Sequence, residues 1–135
     1  MIAGGVLGSP ISHSLSPLLH KTMYEYLGIG ATYSAFEVQS GQLQLFLANE
    51  GSSLNSISLT MPLKEEALFV ANSVSDVARK IQSGNTLSKR DGLWNLTSTD
   101  VEGCSHALNS HGRDARGQVL VIGAGATARA VVAAC

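Results

Sequence analysis

Lys64, in the run Ser58-Leu59-Thr60-Met61-Pro62-Leu63-Lys64, is a cation placed where a strand gives way to a helix. An ammonium there faces the positive end of the helix dipole, which is unfavourable unless an anion or a carbonyl-bearing group compensates. The plain reading is a solvated charge paired with Glu65 or Glu66. Asp100, in Ser98-Thr99-Asp100, stands at a second strand-to-helix junction, where helix capping is a sufficient explanation and does not forbid chemistry. Thr60 fits an ordinary strand residue, and Asn85, in Ser83-Gly84-Asn85-Thr86, fits a turn. The stretch Gly8-Ser9-Pro10-Ile11-Ser12-His13-Ser14-Leu15-Ser16-Pro17 carries more hydroxyls than a turn requires. The segment Gly123-Ala124-Gly125-Ala126-Thr127-Ala128 fits G-x-G-x-x-A, preceded by the apolar run Val119-Leu120-Val121-Ile122 and leading into a helical pattern. Gly123 permits a tight turn, and Gly125 lets backbone N–H groups approach a pyrophosphate at a helix N-terminus. The histidines offer less. His13 and Ser14 are neighbours whose side chains point apart, no G-x-S-x-G elbow exists, and His20, His106 and His111 lack metal-ligand spacing, so no metal is expected.

The elements that must position these groups can be read from periodicity and punctuation. Residues Gly4 to Leu7 predict a strand, and Ser16-Pro17 an N-cap and first turn for a helix to Leu27, closed by Gly28. Leu19, Met23, Tyr26 and Leu27 recur at helical spacing, predicting that this stripe faces a core. Thr32 to Val38 predicts a second strand, and Gln42 to Asn49 a helix with Leu43, Phe46 and Leu47 inward. Ser56 to Thr60 alternates as a third strand, Leu63 to Ala71 follows as a helix, and Ser75 caps another through Gln82. Thr86 to Lys89 and Leu93 to Thr97 flank Arg90-Asp91-Gly92 as a hairpin. A helix over Val101 to Leu108 turns Val101, Cys104 and Leu108 to one side, and the polar Asn109 to Gly117 reads as a linker.

Strands alternating with helices predict an α/β fold: a mainly parallel sheet with one antiparallel strand and helices on both faces. Residues 1–112 form that unit, and 113–135 a linker and the truncated first β-α unit of a Rossmann-like domain. One strand cannot bury both faces alone, so this tail is expected to pack on the first domain, swap between chains, or fray. The pattern stops at Cys135 without a helix stop signal, and the residue that would read a ribose lies some 20 positions beyond the loop, past Cys135. NAD and NADP are therefore not separable from the residues.

At 135 residues, 44% apolar and 14% charged, the chain suits one core. A net charge of −1 gives no footprint for nucleic acid or an anionic membrane, and leaves a small-molecule ligand open. Two cysteines without C-x-x-C spacing argue against a disulfide framework and fit a reducing cytoplasm. No basic-then-apolar leader and no run of about 20 apolar residues is visible, so a cytoplasmic protein is expected.

Taken in order, the Gly8–Pro17 stretch, Thr60-Met61-Pro62-Leu63-Lys64, Gly84-Asn85-Thr86, Thr99-Asp100-Val101-Glu102-Gly103 and Gly123 to Arg129 resemble the shikimate dehydrogenase family over nearly the entire chain. The resemblance implies NADP-dependent reduction of 3-dehydroshikimate to shikimate, on the route to chorismate and aromatic amino acids. It further implies that Ser14 and Ser16 bind the substrate carboxylate, that Thr60, Asn85 and Asp100 hold ring hydroxyls, and that Lys64 and Asp100 are the catalytic pair. Gly123, Ala124, Gly125, Ala126, Thr127 and Ala128 would bind the cofactor. Four positions depart from the family's pattern: Ser58 and Ser98 stand where Asn is usual, Leu63 where His is common before the lysine, and Gly84 where Ala is common. They leave open a quinate/shikimate dehydrogenase of broader specificity. The family's second domain would add roughly 100 to 150 residues, so a non-catalytic carboxylate-binding protein is the competing class, and this length alone is expected to turn over little. Monomer and homodimer both fit.

Overall fold

A computed structural model of the chain describes residues 1–112 and 118–135. Six strands form one sheet: β1 (Ile2–Gly8), β2 (Ala31–Glu37), β3 (Ser56–Leu59), β4 (Ser73–Val74), β5 (Thr86–Arg90) and β6 (Leu93–Thr97), in the order β2-β1-β3-β5-β6-β4. β1 pairs in parallel with β2 and β3, and β4 with β6, whereas β5 runs antiparallel to both of its neighbours. The sheet thus has the expected single reversed strand. Reversal follows from the Asp91-Gly92 turn, where both residues adopt positive φ (51° and 79°), the primed geometry whose twist matches a hairpin. It also brings the amino end of β5 to the sheet edge where β1, β3 and β6 finish. The two-residue β4, which the sequence did not suggest, is held by the Ser75 N–H donating to the Leu96 carbonyl.

Alternation divides the sheet. Leu7 lies beside Leu59, and Ile57, Leu87 and Leu96 form adjoining rungs on one face, all nearly or fully buried. Helices α2 (Leu43–Ala48) and α3 (Leu63–Val70) cover that face with Leu43, Leu47, Leu63 and Ala67. Burying each of these leucines contributes roughly 1.5–3 kcal/mol. The opposite face is polar, with Ser58, Thr86 and Thr97 on one rung and Ser56, Ser88 and Asn95 on the next. Ser75 caps α4 (Asp76–Ile81) as expected, accepting from the Ala78 N–H. In α5 (Asp100–Ser110), Val101, Cys104 and Leu108 are half-buried along one stripe.

Helix α1 (Ser16–Tyr26) corrects an expectation. Its apolar stripe faces outward: Leu19, Met23, Tyr26 and Leu27 are 62%, 57%, 88% and 56% exposed. The half-buried side is instead Ser16, His20 and Tyr24, one residue per turn. The cause lies beneath it. Gly4 has no side chain, so the ring of Tyr33 lies across β1 where a Cβ would stand 2.8 Å from it, and α1 packs a polar, aromatic side onto that ring. Ser16 is the first helical residue and not the N-cap, a position that Leu15 holds.

The predicted strand at Gln118 to Ile122 pairs with no strand among the described residues, and Leu120 and Ile122 are 86% and 92% exposed. Alone it has no neighbour to complete its hydrogen bonds. Helix α6 (Ala126–Ala134) nevertheless packs on α4 and α5, burying Ala130, which is the first of the three fates expected for the tail. The predicted boundary at 112/113 and the linker residues 113–117 lie outside the described residues. Among the described residues, no helix is long and apolar enough to cross a membrane.

Candidate active site

The first turn of α3 carries three consecutive charges, and each goes to a different partner. The Lys64 ammonium donates to Asp100 Oδ2 at 2.8 Å, with both side chains mostly buried (17% and 22% exposed). Glu65 pairs with Arg129 of α6. Glu66 accepts from the N–H groups of Gly41 and Leu43 (2.8 and 2.9 Å), satisfying the amino end of α2. The plain reading of Lys64 as a surface charge balanced by its neighbours therefore fails. Its unfavourable place at a helix N-terminus is compensated by a carboxylate from 36 residues away.

Asp100 is the first residue of α5 and caps nothing with its side chain; the N-cap is Thr99. Ser98, 6% exposed, instead accepts from the Asp100 N–H at 3.4 Å, which frees the carboxylate to face Lys64. Asn85 completes the group. Its Nδ2 donates to Asp100 Oδ1 (2.8 Å) and Thr99 Oγ1 (2.9 Å), and its Oδ1 accepts from the Thr99 N–H (3.1 Å) and the Thr86 hydroxyl (2.8 Å). Its backbone is held as firmly, because its N–H donates to the Thr97 carbonyl and its own carbonyl accepts from the Leu59 N–H. Such a network fixes the carboxylate's orientation, since both oxygens are engaged from opposite sides.

Thr60 ends the same edge, directly after β3, and its N–H donates to the Leu7 carbonyl at 2.9 Å. Gly8 is required beside it, because a Cβ there would collide with the Thr60 methyl and stand 2.8 Å from the Met61 carbonyl. The Ser9 N–H donates to Met61, so the serine loop leaves the sheet alongside Thr60. Glu37 anchors that loop through Ser9 Oγ (2.6 Å) and the Ile11 N–H (3.2 Å). Within it the Ser16 N–H donates to Ser14 Oγ at 3.3 Å, and both serines are half-buried. Among the described residues no hydrogen bond joins this serine pair to Lys64, Asp100 or Asn85.

The group around Tyr33 also escaped the sequence reading. The Tyr33 hydroxyl donates to Ser58 Oγ at 2.7 Å, and the His20 ring stacks on Tyr33 at 3.9 Å with 5° between the planes. Helical spacing from Ser16 to His20 was the available signal. Burial lowers the His20 pKa below 6.5 and raises the Tyr33 phenol above 10, the latter partly offset by the bond to Ser58. Because the unfolded chain takes up the His20 proton first, stability is expected to fall as pH drops from 6.5 toward 5, before carboxylates titrate. Urea midpoints across that range should show the slope, and His20→Gln should flatten it. With the opposite sign, because its folded-state pKa is raised, Tyr33 gives up stability as pH rises beyond 10.

Across from Lys64 lies the glycine loop. Gly123 has φ +124°, a conformation that favours glycine, and α6 begins at Ala126 with no side chain capping it. Space is open around the Cβ positions of Gly123 and Gly125. Between this loop and the strand end is a crevice of about 650 Å³ lined on one side by Thr60, Met61 and Lys64 and on the other by Gly123, Gly125 and Thr127. Open glycines, uncapped N–H groups and a facing cation suit the phosphates of a dinucleotide. Among the described residues no cluster of His, Cys, Asp and Glu could hold a metal.

Fold and site together define a class: an α/β domain with a lysine–carboxylate pair at the strand ends, abutting a glycine loop of dinucleotide type. The family profile described as the shikimate dehydrogenase substrate binding domain matches residues 6–87, and the chain belongs to that family. It is 40% identical to a shikimate dehydrogenase (NADP(+)) of Xylella fastidiosa, over 96% of this chain and 47% of that protein. A shikimate dehydrogenase (NADP(+)) of Methanothrix thermoacetophila is 40% identical over 93% of this chain and 47% of its own length. The chain therefore spans about half the length of these curated relatives. The shikimate 5-dehydrogenase of Thermus thermophilus, solved with NADP(H) and shikimate, superposes with a TM-score of 0.92 at 36% identity, covering 99% of this chain and 51% of that one.

Proposed function

We propose that the chain is the substrate-binding and catalytic half of an NADP-dependent shikimate dehydrogenase, reducing 3-dehydroshikimate to shikimate. The observation that carries this is the Lys64–Asp100–Asn85 group, held at 2.8 Å contacts, whose lysine lines a crevice walled on the other side by the glycine loop. NADPH, bound along residues 123–128, supplies the hydride. As the ketone carbon gains that hydride, the carbonyl electron pair moves to oxygen, where the Lys64 ammonium stabilises the charge and gives up one proton, becoming a neutral amine. Asp100, oriented by Asn85, keeps the lysine aimed and accepts a hydrogen bond from a ring hydroxyl, with Thr60 beside it. Ser14 and Ser16 hold the carboxylate at the amino end of α1, where the helix dipole also favours an anion.

Residues 1–112 are read as the substrate domain and 113–135 as the linker and opening of the cofactor domain. A cytoplasmic setting, a small-molecule partner in place of nucleic acid or membrane, and a monomer or homodimer belong to the same reading. Broader specificity toward quinate is the second reading; Ser58, a short hydroxyl where the family usually has Asn, accepts from the Tyr33 hydroxyl. Calorimetry tests both. Shikimate should give a saturable heat, and Ser14→Ala or Ser16→Ala should weaken binding about tenfold, the loss of one hydrogen bond to a charged group. No heat with either shikimate or quinate would remove the proposal, and equal affinity for the two would favour the second reading.

A further inference from the structure

The function proposed above gives Arg129 no task. This residue lies in the first turn of α6, and its guanidinium reaches back into the first domain. Nε donates to the Ile81 carbonyl at 2.8 Å, Nη2 to the Gln82 carbonyl at 3.1 Å and to the Glu65 carboxylate, and Nη1 to the Ala124 carbonyl at 3.5 Å. Ile81 and Gln82 close α4, where Gln82 turns left-handed (φ 51°) and the carbonyls have lost their helical partners. Three residues later the chain reaches Asn85, and Gly84 on the way donates its N–H to the Lys64 carbonyl. Glu65 is the residue next to Lys64. One side chain thus touches the glycine loop, the approach to Asn85 and the helix turn that carries the lysine.

We propose that Arg129 is a positioning residue that fixes the glycine loop across the crevice from Lys64 and Thr60, at the separation a bound dinucleotide needs. The proposal rests on the function proposed above. A surface ion pair with Glu65 alone would contribute little. Here the same guanidinium also serves three backbone carbonyls, a task for a planar fork with five donors and not for a single ammonium. The need is evident in the tail itself: residues 118–125 join no strand, so nothing in the sheet sets where the loop stands. Arg129 also occupies Glu65, which leaves Asp100 as the carboxylate paired with Lys64.

The test is a spin-label distance between α3 and α6 in the 135-residue chain, with labels at Phe69→Cys and Val132→Cys, both exposed positions, and Cys104 and Cys135 changed to Ser. Arg129→Met is expected to broaden the distance distribution about twofold and to speed amide exchange over 126–134 about tenfold. Shikimate affinity and the protection of β1 and β3 should stay within about twofold. Arg129→Lys should restore part of the narrow distribution. An unchanged distribution in Arg129→Met overturns the proposal, as does a parallel loss of sheet protection and shikimate binding, which would make Arg129 a general stabiliser. A wild-type chain that binds no shikimate would instead defeat the function proposed above while leaving the distance result to stand.

Discussion

Lys64→Ala is expected to lower kcat for reduction of 3-dehydroshikimate by about a thousandfold, within the range for removing a positioned proton donor, while KM moves only a few-fold. The measurement requires the chain joined to a complete dinucleotide-binding half, with steady-state rates followed by NADPH absorbance. A thousandfold is about 4 kcal/mol of lost transition-state stabilisation. The asymmetry between kcat and KM follows from when the interaction matters. On the proposed reading Lys64 would face a neutral ketone in the ground state, and the ammonium already has Asp100 at 2.8 Å, so the substrate would gain little from it. Only as charge develops on the oxygen does the ammonium become the better-placed donor, and a group lost from the transition state alone lowers kcat and kcat/KM together. Lys64→Arg separates the two duties of the residue. Guanidinium keeps the charge, yet it holds its proton far more tightly than an ammonium does, so it should preserve binding geometry without restoring turnover. Near-normal kcat in the alanine variant would sink the catalytic role.

Much of the fold was legible because it is written in local chemistry. The Asp91-Gly92 turn, the Ser75 cap and the alternation of Ile57 and Leu59 are decided by residues within a few positions of one another, and all three stand as expected. Helix α1 shows where that logic stops. Its Leu19, Met23 and Leu27 form a true apolar stripe, but periodicity says only that a stripe exists. Which side faces the sheet was settled by Gly4, since its missing side chain let Tyr33 cross β1 and present a ring to His20. For the candidate site, residue types alone left Lys64 a surface charge and Asp100 a cap. Their convergence across 36 positions is a product of topology, with β3 and β6 ending at one edge and the reversed β5 bringing Asn85 between them. Resemblance to a family named the pair; no spacing rule would have. Glu65, Glu66 and Arg129 were invisible for the same reason, because adjacent charges gave no hint that each would be claimed by a different element.

Gly84→Ala, the substitution toward the residue common in the family, is expected to destabilise this chain by about 2–3 kcal/mol, the upper part of the range for overpacking a filled core. A Cβ on Gly84 would stand 2.7 Å from Leu96 Cδ2 and closer still to its Cγ and Cδ1. Leu96 is 2% exposed and pairs beside the fully buried Leu87, so moving it aside displaces packed neighbours. The backbone cannot yield either. Gly84 donates to the Lys64 carbonyl at 2.9 Å and Asn85 to the Thr97 carbonyl at 3.0 Å, so any outward shift pulls on the two residues that orient Asp100. Gly84 does not have a positive φ, so alanine also gains about 0.4–1 kcal/mol by restricting the unfolded chain. That gain is smaller than the clash, and the net sign remains destabilising. Leu96→Ala alone should lose about 2–5 kcal/mol of packing, yet it removes all three atoms that collide. In urea unfolding the double variant Gly84→Ala/Leu96→Ala should therefore be more stable than the sum of the singles by at least about 1 kcal/mol, the coupling expected of residues in direct contact. A strictly additive double, or a Gly84→Ala variant as stable as the parent, would mean that the segment between α4 and β5 has slack which these contacts deny.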